Sequence, residues 1–208
     1  MEKQTRSSHD RRMREWLREL NSIAVVVGLC LVARASIADH YVVPTGSMEP
    51  TVKVEDRLVV NKLAYGLRIP LTQMWLTRFV DPSPGEVVVL DSPSSGPVLL
   101  KRVIAGPGDL IAVRKGRIYL NGEPQPVRKE ADGLHEQLSN RDHLVMLTHG
   151  GGPDFGPVRI PPDKFLVIGD NRGLSRDGRY FGLVERKTIL GQAVGVYFSD
   201  SSITWRDL

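Results

Sequence analysis

The sequence predicts a mainly β protein: one antiparallel β-sheet domain carried behind one N-terminal apolar segment, either a transmembrane helix or a cleavable export signal. Three observations point there. From Val42 onward, short runs rich in valine and isoleucine recur, and no long segment keeps a helical period. Turn-forming residues separate these runs, as in Pro82-Ser83-Pro84-Gly85, Ser94-Ser95-Gly96-Pro97, Lys115-Gly116 and Asn121-Gly122. A single apolar stretch approaches the length of a membrane span, and it follows a basic N-terminal segment.

Residues 1–20 are polar and carry Arg6, Arg11, Arg12, Arg14 and Arg18, which reads as a cytoplasmic basic segment. Ile23 to Ala33 then form an uncharged run. A span needs about 20 apolar residues. Leu20 through Ala38 reach that length by including Arg34, whose head can extend to the interface, and Trp16 suits the opposite interface. Basic residues crowd the N-terminal flank, while Lys53 and Arg57 are the first to follow Ala38. The positive-inside rule then places an anchor at 21–38 with its N-terminus cytoplasmic and residues 39–208 outside. A cleavable signal peptide is the rival reading, since the run also matches an h-region and Ala33-Arg34-Ala35 reads as a cleavage site. The segment alone does not separate the two, and both export the remainder.

The strand candidates are Arg57–Leu63, Glu86–Leu90, Val98–Ile104, Leu110–Val113, Ile118–Leu120, Leu144–Leu147, Phe165–Ile168 and Ala193–Phe198. Residues 111–120, with Lys115-Gly116 at their centre, make the best hairpin. The stretch 123–162 is polar, contains Gly150-Gly151-Gly152-Pro153, and reads as a small insertion, either a subdomain or a mobile loop.

Several function classes drop out. A formal charge of +4 spread over 208 residues is too mild for a nucleic-acid partner. The lone Cys30 supports neither a disulfide nor a thiolate metal site within one chain. His40, His135, His143 and His149 show no metal-ligand spacing, and Asp170-Asn171-Arg172 does not fit a calcium loop. His149-Gly150-Gly151-Gly152 looks like a lipase oxyanion motif but has no G-x-S-x-G to accompany it. No metal and no cofactor are expected.

Chemistry concentrates in three stretches. In Pro44-Thr45-Gly46-Ser47-Met48-Glu49-Pro50-Thr51, two prolines and a glycine surround Ser47, so the loop can hold one hydroxyl and one N–H in a set direction. A reactive serine needs a base. Lys101 lies inside the apolar run Leu99-Leu100-Lys101-Arg102-Val103-Ile104, where on a strand Leu99 and Val103 share its face. Burial disfavours the ammonium and can bring its pKa towards neutrality, so that the free amine accepts a serine proton. Alternatively Lys101 is an edge-strand lysine that only discourages aggregation. His40 is a poorer base, seven residues before Ser47 and without an identified acid. The third stretch, Gly169 to Gly182, packs Asp170, Asn171, Arg172, Ser175, Arg176, Asp177 and Arg179 directly after an apolar strand. A surface turn explains its glycines, and a hydrogen-bonded loop supporting a site explains its charges.

In this order and spacing, the three stretches resemble bacterial type I signal peptidase, a Ser-Lys dyad serine peptidase family. Residues 44–51 look like its nucleophile box, Lys101-Arg102-Val103-Ile104-Ala105-Gly106-Pro107-Gly108-Asp109 like its lysine box, and 169–182 like its last box. The resemblance covers about residues 20–200 and favours an uncleaved anchor. It implies Ser47 as nucleophile and Lys101 as general base, with the Ser47 N–H and the Thr45 hydroxyl as oxyanion hole. It implies that Ser175 hydrogen-bonds and orients the lysine, that Asp177 pairs with Arg179, and that Arg102 and Asp170 join that network. The implied partners are preproteins cut after small residues at −1 and −3, and the bilayer, with Trp75, Leu76, Phe79 and Val80 as part of an apolar contact surface. Thr45 stands where many members have serine, and Ala105-Gly106 and Gly173-Leu174 replace commoner pairs.

Three other readings are distinguishable. A dedicated maturation peptidase of a conjugation or pilus system would cut few preproteins of a panel. A self-cleaving repressor would need an N-terminal DNA-binding domain where this sequence has an apolar stretch. A non-catalytic exported β-domain would tolerate loss of Ser47.

Overall fold

The structure is a computed structural model, and it describes residues 16, 18–27, 37–68, 74–93 and 96–208. The first half of the chain contributes β1 (Ala38–Val42), β2 (Arg57–Asn61), β3 (Gly66–Arg68), β4 (Trp75–Arg78), β5 (Val87–Leu90), β6 (Leu99–Ala105), β7 (Leu110–Arg114) and β8 (Arg117–Leu120). The second half contributes β9 (Glu123–Pro124), β10 (Val127–Glu130), β11 (Gly133–Leu138), β12 (Arg141–Val145), β13 (Phe155–Arg159), β14 (Lys164–Ile168), β15 (Val184–Glu185), β16 (Ile189–Ser199) and β17 (Ser202–Asp207). The main sheet runs β1-β2-β16-β5-β6-β14-β15, with β17 also paired to β16. Smaller sheets are β13-β7-β8-β9, β10-β11-β12 and β3-β4. The mainly β, antiparallel class read from the sequence is the class observed.

Strand β5 shows why the sheet forms here. Its four residues, Val87-Val88-Val89-Leu90, are all buried, as an apolar run between turns should be when both faces are covered. Side chains alternate across a strand. Val87 and Val89 join a cluster with Met48, Leu58, Val60 and Val196, while Val88 and Leu90 join one with Tyr65, Val103, Phe165 and Val167. A third cluster, with Ile104, Ile111, Ile118, Leu138 and Ile168, binds the smaller sheets to the main one. The predicted hairpin is present: β7 and β8 pair from Ile111↔Leu120 to Arg114↔Arg117. Both residues between them, Lys115 and Gly116, have positive φ, as the tight turn that matches strand twist requires.

Of the two readings of the stretch 123–162, a subdomain or a mobile loop, the bare loop is excluded. The stretch holds β9 to β13. Few of its residues are apolar because these strands bury one face or less. Along β11, Glu136 and Leu138 point inward while His135 and Gln137 stay partly exposed.

The anchor expected at 21–38 lies in part outside the described residues. Residues 18–27 are helical, and among the described residues no helix is long and apolar enough to cross a membrane. Of the basic segment at 1–20, residues 1–15 and 17 are also outside them, as is the Ala33-Arg34-Ala35 site.

Candidate active site

Ser47 sits on a single 3-10 turn, Gly46–Met48, reached directly from β1. The preceding strand is pinned by Val43 N–H donating to Asp56 O at 3.0 Å, and Glu55 N–H returns a bond to Val43 O at 2.8 Å. Met48 is fully buried among Val52, Leu58 and Val89, so the turn is rooted in the core while its serine remains partly accessible.

Lys101 lies on β6 opposite Val88 of β5. On the other side, β14 pairs with β6 only at Arg102, Val103 and Ala105, then turns away at Gly169. Among the described residues no strand covers 99–101 on that side, and the Ser47 turn approaches there. Lys101 is 3% exposed, and its Nζ stands 2.6 Å from Ser47 Oγ and 2.8 Å from Leu100 O. Burial lowers the amine's pKa to about 8, against the opposing pull of Asp177 and Asp170. Leu99 and Val103 share one apolar cluster on this face, as the alternation predicts. Thr45 Oγ1 lies 3.4 Å from Ser47 Oγ, so a second hydroxyl borders that of Ser47.

The loop from Gly169 to Gly182 packs behind this pair. An added Cβ at Gly169 would stand 2.3 Å from both Ser47 O and Ser175 Oγ, so only glycine lets the loop come this close. Arg102 donates Nε to Asp170 Oδ1 at 2.9 Å and Nη2 to Oδ2 at 2.7 Å, and Nη1 donates to Gly85 O at 2.6 Å. Burial alone would raise the Asp170 pKa, but the Arg102 charge and hydrogen bonds hold it below the ordinary value. Asp177 and Arg179 form a second buried bidentate pair, with Nε to Oδ1 and Nη2 to Oδ2 both at 2.8 Å. Asp177 also accepts the Gly169 N–H at 3.0 Å. Arg102 and Asp170 therefore pair with each other, separately from Asp177 and Arg179. Ser175 departs from expectation. Its hydroxyl is buried and has no hydrogen-bond partner among the described residues, and the bond expected to Lys101 is not formed. The lysine is oriented instead by Ser47 Oγ and Leu100 O.

The sequence profile of "Signal peptidase, peptidase S26" matches residues 13–198. The chain belongs to the signal peptidase family. Its members are peptidases, so the reaction is hydrolysis of a peptide bond. The chain is 31% identical over 184 residues to a probable signal peptidase I-2 of Synechocystis, covering 86% of this chain and 71% of the relative. It is 32% identical over 203 residues to signal peptidase I of Pseudomonas aeruginosa, covering 84% and 69%. A signal peptidase I of Bacillus licheniformis is 30% identical over 200 residues, covering 93% and 92%.

In this signal peptidase two residues contribute contacts that the sequence did not assign: Asn171, named in the last loop without a role, and Glu136, not named. Asn171 donates its backbone N–H to Ser47 O and its Nδ2 to Gly46 O, each at 3.2 Å, which ties the last loop to the serine turn. Glu136 is fully buried and pairs with Arg172, whose Nη1 also donates to Gly116 O at 2.6 Å. The available signal was Leu134-His135-Glu136-Gln137-Leu138, where an acid occupies a position that alternation assigns to the core. His143 lies beside this pair, and burial lowers its pKa despite Glu136, so it is neutral near pH 7. Glu130, Asp132 and His135 bring one ligand atom each within 4.8 Å of one another, but both ring nitrogens of His135 already meet Asp142 and Asp132.

Proposed function

We propose that this protein is a single-pass membrane peptidase that removes signal peptides from exported preproteins, with Ser47 as nucleophile and Lys101 as general base. The observation that carries this reading is the 2.6 Å approach of a buried amine, of pKa about 8, to the serine hydroxyl. In the first step Lys101 Nζ takes the Ser47 proton while Oγ bonds to the scissile carbonyl carbon. The Ser47 N–H and Thr45 Oγ1 stabilise the oxyanion. The carbon–nitrogen bond then breaks, and Lys101 returns the proton to the leaving amine. A water repeats the sequence on the acyl-enzyme, giving its proton to Lys101 and then, through it, to Ser47. Asp177, Arg179, Arg102 and Asp170 hold the loop that backs the pair, with Ser175 buried within it.

Substrate shape follows from the cleft beside Ser47, about 230 Å³ and lined by Tyr41, Val43, Pro44, Met48, Leu58 and Leu100 among others. Residues 97–101 border it on one side and residues 41–45 on the other, so an extended peptide fits between two segments of β character. Alternate residues of that peptide face the same way. An apolar cleft of this size supports small side chains at −1 and −3.

Membrane attachment is part of the same reading. In the helical residues 18–27, Ile23, Val25, Val26 and Val27 are each half or more exposed, an apolar surface with no protein cover among the described residues. Met74, Leu76, Phe79 and Val80 are also exposed, which supports a second contact with lipid around β4. Trp75 is partly buried, with Arg68 and Arg186 over its ring at 4.5 and 4.8 Å. The basic N-terminus lies on the cytoplasmic side, with the β-domain, from about residue 39, outside.

The test is cleavage of a preprotein by the detergent-solubilised chain. Wild type is expected to release the mature protein, and Ser47→Ala and Lys101→Met to release none. Processing at wild-type rate by either variant would remove that residue from its role.

A further inference from the structure

A peptide crossing the Ser47–Lys101 pair must extend on both sides of it. A second cleft, about 310 Å³, shares Thr45, Ser47, Leu99 and Lys101 with the first and then diverges towards the last loop. Its separate lining is Gly46, Glu49, Asn171, Leu174 and Arg176. It continues into a shallower cleft past Gly173 and Tyr180, with Leu174 and Arg176 common to both. The first cleft is apolar apart from the catalytic groups, whereas the second carries charge.

We infer that this second cleft holds the leaving segment, the first residues of the mature protein, and that Arg176 makes it favour an acidic side chain there. The inference rests on the peptidase reading above. Arg176 is exposed at the cleft and, among the described residues, makes no ion pair or side-chain hydrogen bond. Arg172 and Arg179 of the same loop are, by contrast, buried and paired with Glu136 and Asp177. Leu174, 63% exposed, gives the peptide chain an apolar rest beside Arg176. Glu49 is the other ionisable group lining this cleft besides Lys101 and Arg176. An added Cβ at Gly46 would lie 3.0 Å from its Oε2, which places the carboxylate at the serine end. There it disfavours an acid at the first leaving position and suits the new α-amino group once protonated. The acidic preference therefore belongs to the second and third leaving positions, which reach Arg176 at about 3.3 Å per residue.

The experiment uses the full chain in detergent and synthetic signal-peptide substrates identical up to the scissile bond. The second and third leaving residues are both Glu, both Ala or both Lys. Wild type is expected to show kcat/KM for the Glu peptide about threefold to tenfold above that for the Lys peptide, one exposed attraction and one exposed repulsion. Raising salt from 0.05 to 0.5 M should shrink the ratio, on the order expected for exposed charges. Arg176→Gln should bring it to about one and Arg176→Glu should invert it. Each ratio is taken within one enzyme, so a general loss of activity in a variant cancels. Equal cleavage of all peptides by wild type, or a ratio unchanged in both variants, overturns the inference and leaves the peptidase reading standing. Failure of wild type to cleave any peptide overturns the peptidase reading and this inference with it.

Discussion

Asn171 holds the Ser47 turn from behind: its backbone N–H and its side-chain amide donate to the consecutive carbonyls of Ser47 and Gly46, both at 3.2 Å. Thr148 Oγ1, 3.2 Å from Asn171 Oδ1, fixes the other end of that amide. Two donors on one peptide segment set its tilt, and with it the direction of Oγ. Asn171→Ala keeps the backbone bond and loses the amide. It should lower kcat by about 10- to 100-fold, the range for small misplacement of a reacting group, with KM changed by less than about threefold. Steady-state kinetics on a peptide substrate separate the two.

In the proposed role of general base, Lys101 acts only when neutral. Below its pKa of about 8 the amine is protonated, so kcat/KM should rise about tenfold per pH unit up to that value and level off above it. Lys101→Arg should be as inactive as Lys101→Met, because a guanidinium keeps its proton. Appreciable turnover by the arginine variant would remove the lysine from the role of base.

Thr45 borders Ser47 at 3.4 Å through its hydroxyl. Thr45→Val keeps the shape and removes the donor. Loss of one oxyanion donor costs about 10²–10³ in kcat. Thr45→Ser should retain most activity, and an equal loss in both variants would point to packing rather than to the hydroxyl.

Asp170 neutralises Arg102 in a place where both side chains are nearly sealed from water. Asp170→Asn leaves the guanidinium buried and uncompensated, at a cost of about 3–5 kcal/mol, readable from the urea midpoint of the full chain's β-sheet signal in detergent. The Asp170 pKa is lower folded than unfolded. Its contribution is therefore complete above the ordinary carboxylate range and lost as pH falls through the folded value. Wild type should accordingly lose stability in acid more steeply than Asp170→Asn.

Much of the fold was legible in advance because its strands are short apolar runs between turn residues. The strand read at Glu86–Leu90 and the hairpin read around Lys115-Gly116 are both present, as β5 and as the β7–β8 turn. β10 and β11 were missed, and β12 was caught only at its Leu144-Val145 end, because their one buried face is filled partly by polar side chains, Glu136 and His143, that hydrophobic patterning does not count. The local surroundings of Ser47 and Lys101 were readable one stretch at a time, since each stretch has an unusual composition. Ser175 was placed by resemblance, and its bond to the lysine is absent here.

By itself, then, the amino-acid order determined the β class, the turns, and which side chains have the chemistry to serve as nucleophile and base. Periodicity and turn propensity act over a few residues, so they survive without knowledge of the whole. Only the tertiary structure decided that β14 leaves β6 just before Lys101, that the Ser47 turn fills the opening, and that Asn171 ties the two together. Those contacts join residues 54 and 125 positions apart, and the burial that brings the amine down to about pKa 8 is a property of the assembled core rather than of any one segment.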